Sequence, residues 1–112
     1  MTVELDSLAQ LGRGVVPVDT PLLHADDEGV LRGRSVFETL RVYARAPFKL
    51  DEHLERLAMS ADRIHLPPPP RAELAALARE AIEAGVQADA TLRLLWIAGR
   101  EHDGAPIGLA LV

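Results

Sequence analysis

The sequence predicts an α+β domain, a two-layer sandwich in which two helices pack on one face of a mostly antiparallel sheet. The first observation is an alternating run of β-branched and aromatic residues at 36–43, which is typical of a strand. The second is a pair of segments, 51–65 and 71–84, in which apolar residues recur at helical spacing. The third is a pair of apolar runs, 91–98 and 107–112, joined by a polar turn, which favours a hairpin.

The segment before the first strong strand is less regular. Residues 1–11 fit either a frayed helix or an edge segment, and both alternatives stay open. Residues 12–19 form an apolar run broken by Pro17, which suits an edge strand or an irregular extended segment. From 19 to 33, the density of Asp, Pro, His and Gly predicts a loop with one helical turn at 28–31.

The side chains of the strand at 36–43 alternate between two faces. One face is apolar apart from a single acid and carries Val36, Glu38, Leu40 and Val42. The other face carries a mixture better suited to lining a pocket than to filling a core, namely Phe37, Thr39, Arg41 and Tyr43. A short return strand at 47–50 is expected to lead into the first helix.

Asp51 is the expected N-cap of the first helix, and Glu52 suits the positive end of the helix dipole. The apolar stripe of this helix consists of Leu54, Leu57, Ala58, Ala61 and Ile64. His53 and Arg56 lie in the first two turns, close to free backbone N–H groups. A cation at such a position is suited to holding an anion such as phosphate.

Four prolines at 67–70 form a stiff spacer that ends the first helix. The second helix, at 71–84, has an apolar stripe made of Leu74, Leu77, Ala78, Ala81 and Ile82. Gly85 stands where a C′ glycine ends a helix. The helical spacing therefore predicts that this stripe packs on the sheet and that the opposite face, with Arg79, is solvated.

Length and composition restrict the possible functions. The 112 residues fit one domain with one modest core. Seventeen acidic and twelve basic residues give a net charge of −5, which argues against a nucleic-acid binder. No apolar run is long enough to span a membrane, and the chain has no cysteine, so a cytoplasmic location is expected. All basic residues except Lys49 are arginine, whose planar guanidinium suits phosphate and carboxylate.

Two ordered sequence blocks resemble the small N-terminal domain of the class IV aminotransferases. The first block is Asp27-x-Gly29-x-x-Arg32-Gly33-x-x-Val36-Phe37-Glu38-Thr39-x-Arg41. The second is Phe48-x-Leu50-x-Glu52-His53-Leu54-x-Arg56-Leu57. These are the fold-type IV enzymes that use pyridoxal 5′-phosphate (PLP), among them branched-chain and D-amino-acid aminotransferases and 4-amino-4-deoxychorismate lyase. The resemblance implies that residues 1–112 form that small domain and that the family's usual homodimer applies.

The resemblance also implies roles for individual residues. Arg56 matches the arginine that contacts the PLP phosphate, whereas the alternative is a surface arginine paired with Glu52 or Glu55. Residues that match substrate-facing positions are Phe37, Thr39, Arg41, Arg93 and Arg32. The last two match positions that bind substrate carboxylates in some members. Without the resemblance, Phe37 would be assigned to the core and Arg41 to a cross-strand charge pair.

PLP chemistry requires a lysine amine, and Lys49 is the sole lysine of the chain. In the resembled family this lysine belongs to a second, larger domain, so Lys49 is expected to be a solvated strand residue. A C-terminal lysine-bearing domain is then the missing partner, and the 112 residues alone are expected to be inactive. The intact enzyme would act on amino acids and 2-oxo acids, or eliminate pyruvate from aminodeoxychorismate.

The rival hypothesis is a free-standing, non-catalytic binding or dimerisation module. Metal sites receive little support, since the histidines show no pair at ligand spacing. The conceivable combinations are His24 with Asp26 or Asp27, and His102 with Asp103. No Gly-x-Ser-x-Gly, Walker-type or dinucleotide glycine motif is present.

Overall fold

The computed structural model describes residues 4–102 and 104–112. Its strands are β1 (Leu8–Gln10), β2 (Gly14–Val16), β3 (Ser35–Tyr43), β4 (Ala46–Pro47), β5 (Ala90–Ile97) and β6 (Ile107–Leu111). Its helices are α1 (Glu28–Leu31), α2 (Leu50–Arg63) and α3 (Arg71–Ala84). The predicted helical turn at 28–31, the second helix and the hairpin of the last two strands are confirmed.

The six strands form one antiparallel sheet in the order β2-β1-β6-β5-β3-β4. Helix α2 packs on β3, and α3 packs on β1, β5 and β6. Both helices cover the same face, because the core residues of β3 pair across the sheet with core residues of β5, as in Val36 with Trp96 and Leu40 with Leu92. The two-layer α+β prediction is therefore confirmed.

The helix stripes enter this core. Every residue of the predicted α3 stripe is at most 4% exposed, and in α2 the residues Leu54, Leu57 and Ala61 are buried. The proline spacer is attached to the sheet, since Pro67 C=O accepts a 2.8 Å hydrogen bond from the indole N–H of Trp96. Burial of these apolar side chains is the main stabilising contribution to a domain of this size.

Three local predictions need correction at the helix ends. The return strand covers only two residues, and the abrupt turn after it places Lys49 in the left-handed region at φ 57° as the N-cap of α2. Asp51 therefore lies inside the first turn rather than at the N-cap. Gly85 has φ −80° and is not a left-handed cap. Its small size matters because a Cβ there would lie 2.2 Å from an Asp6 carboxylate oxygen.

Helix α2 ends in a Schellman arrangement without glycine. His65 takes the left-handed conformation at φ 60°. Its N–H bonds to Asp62 C=O at 3.1 Å, and Leu66 N–H bonds to Ala61 C=O at 2.9 Å. Arg34 reaches the same helix end from the segment before β3, with its guanidinium 3.4 Å from the carbonyl oxygen of Ile64. The Arg34 guanidinium therefore already interacts with the C-terminal carbonyl groups of α2.

Candidate functional site

The open face of the sheet brings together four of the predicted substrate residues. This face is formed by Phe37, Thr39, Arg41 and Tyr43 of β3 with Thr91 and Arg93 of β5, all of them exposed. Thr39 pairs in register with Arg93, and Arg41 with Thr91, so their side chains project on the same side. Phe37 is 63% exposed, which rules out the core assignment for that ring.

Two arginines of the open face differ in how they are held. Arg41 donates a 2.8 Å hydrogen bond to the Thr91 hydroxyl, and its guanidinium carbon lies 5.6 Å from the centre of the Tyr43 ring. Arg93 makes no hydrogen bond or ion pair within residues 4–102 and 104–112. It lines a groove of about 580 Å³, whose rim also carries Glu4, Asp6 and Asp89 among other residues. Arg93 is therefore the more available of the two cations.

Arg32 lies elsewhere than on the open face. It follows α1, in the loop that leads into β3, and its Nε lies 3.2 Å from Glu28 Oε2. The ion pair joins residues four apart on one helical turn. The structure thus places this predicted site residue apart from Arg93 and occupied by an acid of its own segment.

Arg56 is paired with Glu38, an acid on the covered face of β3. Its Nε lies 3.6 Å from Glu38 Oε1, so neither Glu52 nor Glu55 is its partner. The same oxygen is 2.7 Å from Nδ1 of His53, a hydrogen bond that ties α2 to the sheet. Glu38 is only 9% exposed among apolar neighbours, and its burial is tolerated because these two groups satisfy it.

A cleft of about 290 Å³ opens beside this ion pair. We call it the arginine cleft, and it is lined by Glu38, Arg56, Met59, Ser60 and Arg63. The side chain of Arg56 is 69% exposed, and its two terminal amino groups have no partner in the described part of the chain. Two guanidinium groups and a hydroxyl, set against one carboxylate, form a donor set that fits an oxyanion such as a phosphate monoester.

The ion pairs of Glu38 and the cleft residues Ser60 and Arg63 were not predicted from the sequence. One signal was visible for the acid, because a carboxylate in the apolar series of a strand must find a partner. Another was the spacing of 56, 60 and 63, which places those residues on one face of a helix. Only the packing of α2 on β3 shows that these two patterns meet.

Lys49 is exposed, as expected, but it caps a helix rather than lying in a strand. Its Nζ lies 5.5 Å from the centre of the Phe48 ring. The left-handed backbone fixes this residue in the turn between β4 and α2. Nothing in its surroundings buries the amine, as activation of a nucleophilic lysine requires.

The other candidate site is a metal site formed by His24 with Asp26 or Asp27 in the loop before α1. The Arg100 guanidinium, 3.0 Å from Asp26, lowers the pKa of that exposed carboxyl. Asp27 is buried and accepts a 2.6 Å hydrogen bond from the backbone N–H of His24. Across residues 4–102 and 104–112 no three His, Cys, Asp or Glu side chains are grouped as metal ligands, and Asp103 lies outside the described residues.

No helix in the described ranges is long and apolar enough to cross a membrane.

Comparison with known proteins identifies the family of the chain. The family profile described as amino-transferase class IV matches residues 35–109. A bifunctional aminodeoxychorismate lyase / D-amino acid transaminase of Mycobacterium tuberculosis is 40% identical over 95 residues, covering 82% of this chain and 33% of the relative.

Solved structures agree. A PLP-bound hypothetical aminotransferase from Mycobacterium tuberculosis is 35% identical with a TM-score of 0.85, covering 94% of this chain and 38% of the other. The form bound to alpha-ketoglutarate and PMP has 35% identity and a TM-score of 0.79, with coverage of 93% and 38%. The chain spans about a third of the length of the curated Mycobacterium tuberculosis relative. Because the family profile covers both the open face and the arginine cleft, the chain belongs to the class IV aminotransferase family.

Proposed function

We propose that this chain is the N-terminal small domain of a PLP-dependent enzyme. The enzyme transfers an amino group between an amino acid and a 2-oxo acid, or performs the related aminodeoxychorismate lyase reaction. The names of the relatives support this assignment, since they include a lyase and transaminase and structures bound to PLP and to alpha-ketoglutarate. The chain matches a third of that curated relative, and we assign the remaining machinery to a second, lysine-bearing domain.

The observation that carries the proposal is the position of the unpaired outer edge of β3. Strand β4 pairs only with Val42 and Tyr43, so the edge from Ser35 to Thr39 has no neighbouring strand in the described structure. The open face lies on one side of this edge, and the arginine cleft lies on the helix side. Arg56 and the open face would therefore hold the cofactor from the two sides of this edge, Arg56 at its phosphate.

The residues of this chain bind and orient in the proposed enzyme. Arg56 holds the phosphate by charge-assisted hydrogen bonds from its exposed amino groups. Phe37 and Thr39 form the wall beside the cofactor ring, and Arg41 and Arg93 receive substrate carboxylates. Arg32 reaches a carboxylate only by leaving Glu28. PLP, when bound, would supply the electron sink that stabilises negative charge on the amino-bearing carbon.

The oligomeric state and location complete the proposal. The enzyme acts as a homodimer in the cytoplasm, which suits a chain without cysteine. Phe37 and the neighbouring aromatic rings remain exposed in the single chain. The second domain is the partner that covers these rings and closes the site.

A chimera tests the proposal directly. In it, this chain replaces the matching third of the Mycobacterium tuberculosis relative. We expect the chimera to bind PLP, followed through the absorbance of the bound cofactor, and to transfer an amino group to a 2-oxo acid. The isolated chain should show neither this absorbance nor amino-group transfer. A chimera that unfolds cooperatively on heating but binds no PLP would contradict the proposal.

A second measurement examines Lys49. The isolated chain is mixed with PLP, reduced with borohydride and mapped by peptide mass. We expect only slow, partial labelling, because the Lys49 amine is solvated and unactivated. Rapid stoichiometric labelling would instead place the chemistry within this chain and overturn the two-domain assignment.

A further inference from the structure

Arg63 is a cation without an assigned task. It lies in the last turn of α2, where a basic residue usually interacts with the terminal carbonyl groups. Arg34 already approaches the carbonyl oxygens of Ile64 and His65 at 3.4 Å. Arg63 itself makes no ion pair or hydrogen bond within residues 4–102 and 104–112.

The position of Arg63 on the helix indicates a task for it. Residues 56, 60 and 63 lie on one face of α2, about 10 Å apart from first to last at 1.5 Å per residue. Side chains on a helix lean toward its N-terminus, so Arg63 extends back over Ser60 toward Arg56. All three side chains line the arginine cleft. One cleft is therefore lined by two guanidinium groups and a hydroxyl from the same face of α2.

The charge of the cleft points to its ligand. Its lining contains one carboxylate, Glu38, and two guanidinium groups, which leaves a net positive charge of one. A phosphate monoester carries about −1.5 to −2 at pH 7 and three acceptor oxygens. Arg56 alone is partly neutralised by Glu38 at 3.6 Å. A second guanidinium restores the excess positive charge that a dianion needs.

We propose that Arg63 and Ser60 complete, together with Arg56, a binding site for a phosphate dianion in the arginine cleft. The inference rests on the proposed function, because it assigns two further residues to the cofactor phosphate held by Arg56. Arg63 supplies a second fork of N–H donors, and the Ser60 hydroxyl donates between the two arginines. Neither residue belongs to the two sequence blocks that carry the family resemblance, the second of which ends at Leu57.

The test titrates inorganic phosphate into the isolated 112-residue chain by calorimetry and PLP into the chimera. We expect Arg63→Ala to raise the dissociation constant for phosphate by about tenfold, as loss of a charge-assisted contact does. Arg63→Lys should recover part of the loss, because it keeps the charge without the fork. Arg79→Ala is the matched control, since it removes the same charge from the exposed face of α3. It should leave both affinities unchanged.

The outcomes separate the two claims. If Arg56→Ala weakens PLP binding and Arg63→Ala does not, the inference fails while the proposed function stands. If Arg63→Ala and Arg79→Ala have equal effects, the cleft senses only net charge, and the inference fails as well. If PLP binding is insensitive to Arg56→Ala, the proposed phosphate anchor itself is wrong. Thermal unfolding of each variant verifies that the surface substitution has left the fold intact.

Discussion

The two faces of strand β3 differ in burial, although their residues alternate along the chain. On the covered face, Val36, Leu40 and Val42 are at most 8% exposed and hold the helices to the sheet. On the open face, the alternating residues are exposed, and Phe37 shows 63% of its surface. Because successive residues of a strand point to opposite faces, core residues alternate along β3 with residues of the proposed substrate wall. Substitutions along β3 should alternate between effects on folding and effects on binding.

The largest expected effect comes from the covered face. Leu40→Ala should lower the free energy of unfolding by about 2–5 kcal/mol, because it leaves a cavity beneath α2. Phe37→Ala on the open face should change it by less than about 0.5 kcal/mol. Urea unfolding of both variants measures the difference. Equal destabilisation would show that the Phe37 ring is packed in solution and that the two faces are not distinct.

The second largest effect is on PLP binding rather than on the stability of the fold. Arg56→Ala in the chimera should weaken PLP retention by about 10- to 100-fold, since a charge-assisted hydrogen bond contributes roughly 1.5–3 kcal/mol. Arg56→Lys should restore only part of the affinity because a point charge lacks the guanidinium fork. PLP titration of the cofactor-free protein gives these values. If Arg56→Ala binds PLP as tightly as the wild type, Arg56 does not hold the phosphate of the cofactor.

Glu38 is the exception to the division between the faces, and its variant sharpens the comparison. It lies on the covered face, yet it contacts His53 and Arg56 of α2, and Arg56 lines the arginine cleft. Glu38→Gln should cost about 1–3 kcal/mol of stability, because charge-assisted contacts to His53 and Arg56 are lost in a buried position. The Glu38→Gln, Arg56→Ala double variant measures the coupling between the two. Strict additivity would mean that Glu38 does not act on Arg56.

The smallest effect lies outside both faces, in the ion pair of Asp26 and Arg100. Arg100 lowers the pKa of Asp26 below its ordinary value of 3.8, so the pair stabilises the fold above that pH. The contribution should disappear as the pH falls from 3.8 through the lowered pKa. Unfolding curves between pH 6 and pH 2 should differ slightly between wild type and Asp26→Asn, and Asp19→Asn is the control. Parallel curves would show that the pair contributes nothing.

Local patterns predicted much of this molecule. The alternation of β3 and the stripe of α3 depend on nearest neighbours along the chain, and both match the structure. The prediction of Asp51 as the N-cap of α2 was wrong, because the short β4 strand is followed by a left-handed turn at Lys49. Strand β1 was undecided because its three residues become a strand only by pairing with β2 and with the distant β6. The arginine cleft depends on how α2 lies on β3, which the spacing of either element alone does not specify.

The pairing of β1 with β6 also determines when the sheet can be completed during synthesis. Leu8 pairs with Leu111, so β1 joins the sheet beside a strand that is made much later in synthesis. Synthesis proceeds at about 5–20 residues per second, so β1 waits on the order of ten seconds for its partner. Strands β1 and β2 reach the rest of the sheet only through β6. The nascent chain must therefore keep its opening hairpin unattached, and the sheet is completed only after β6 has emerged from the ribosome.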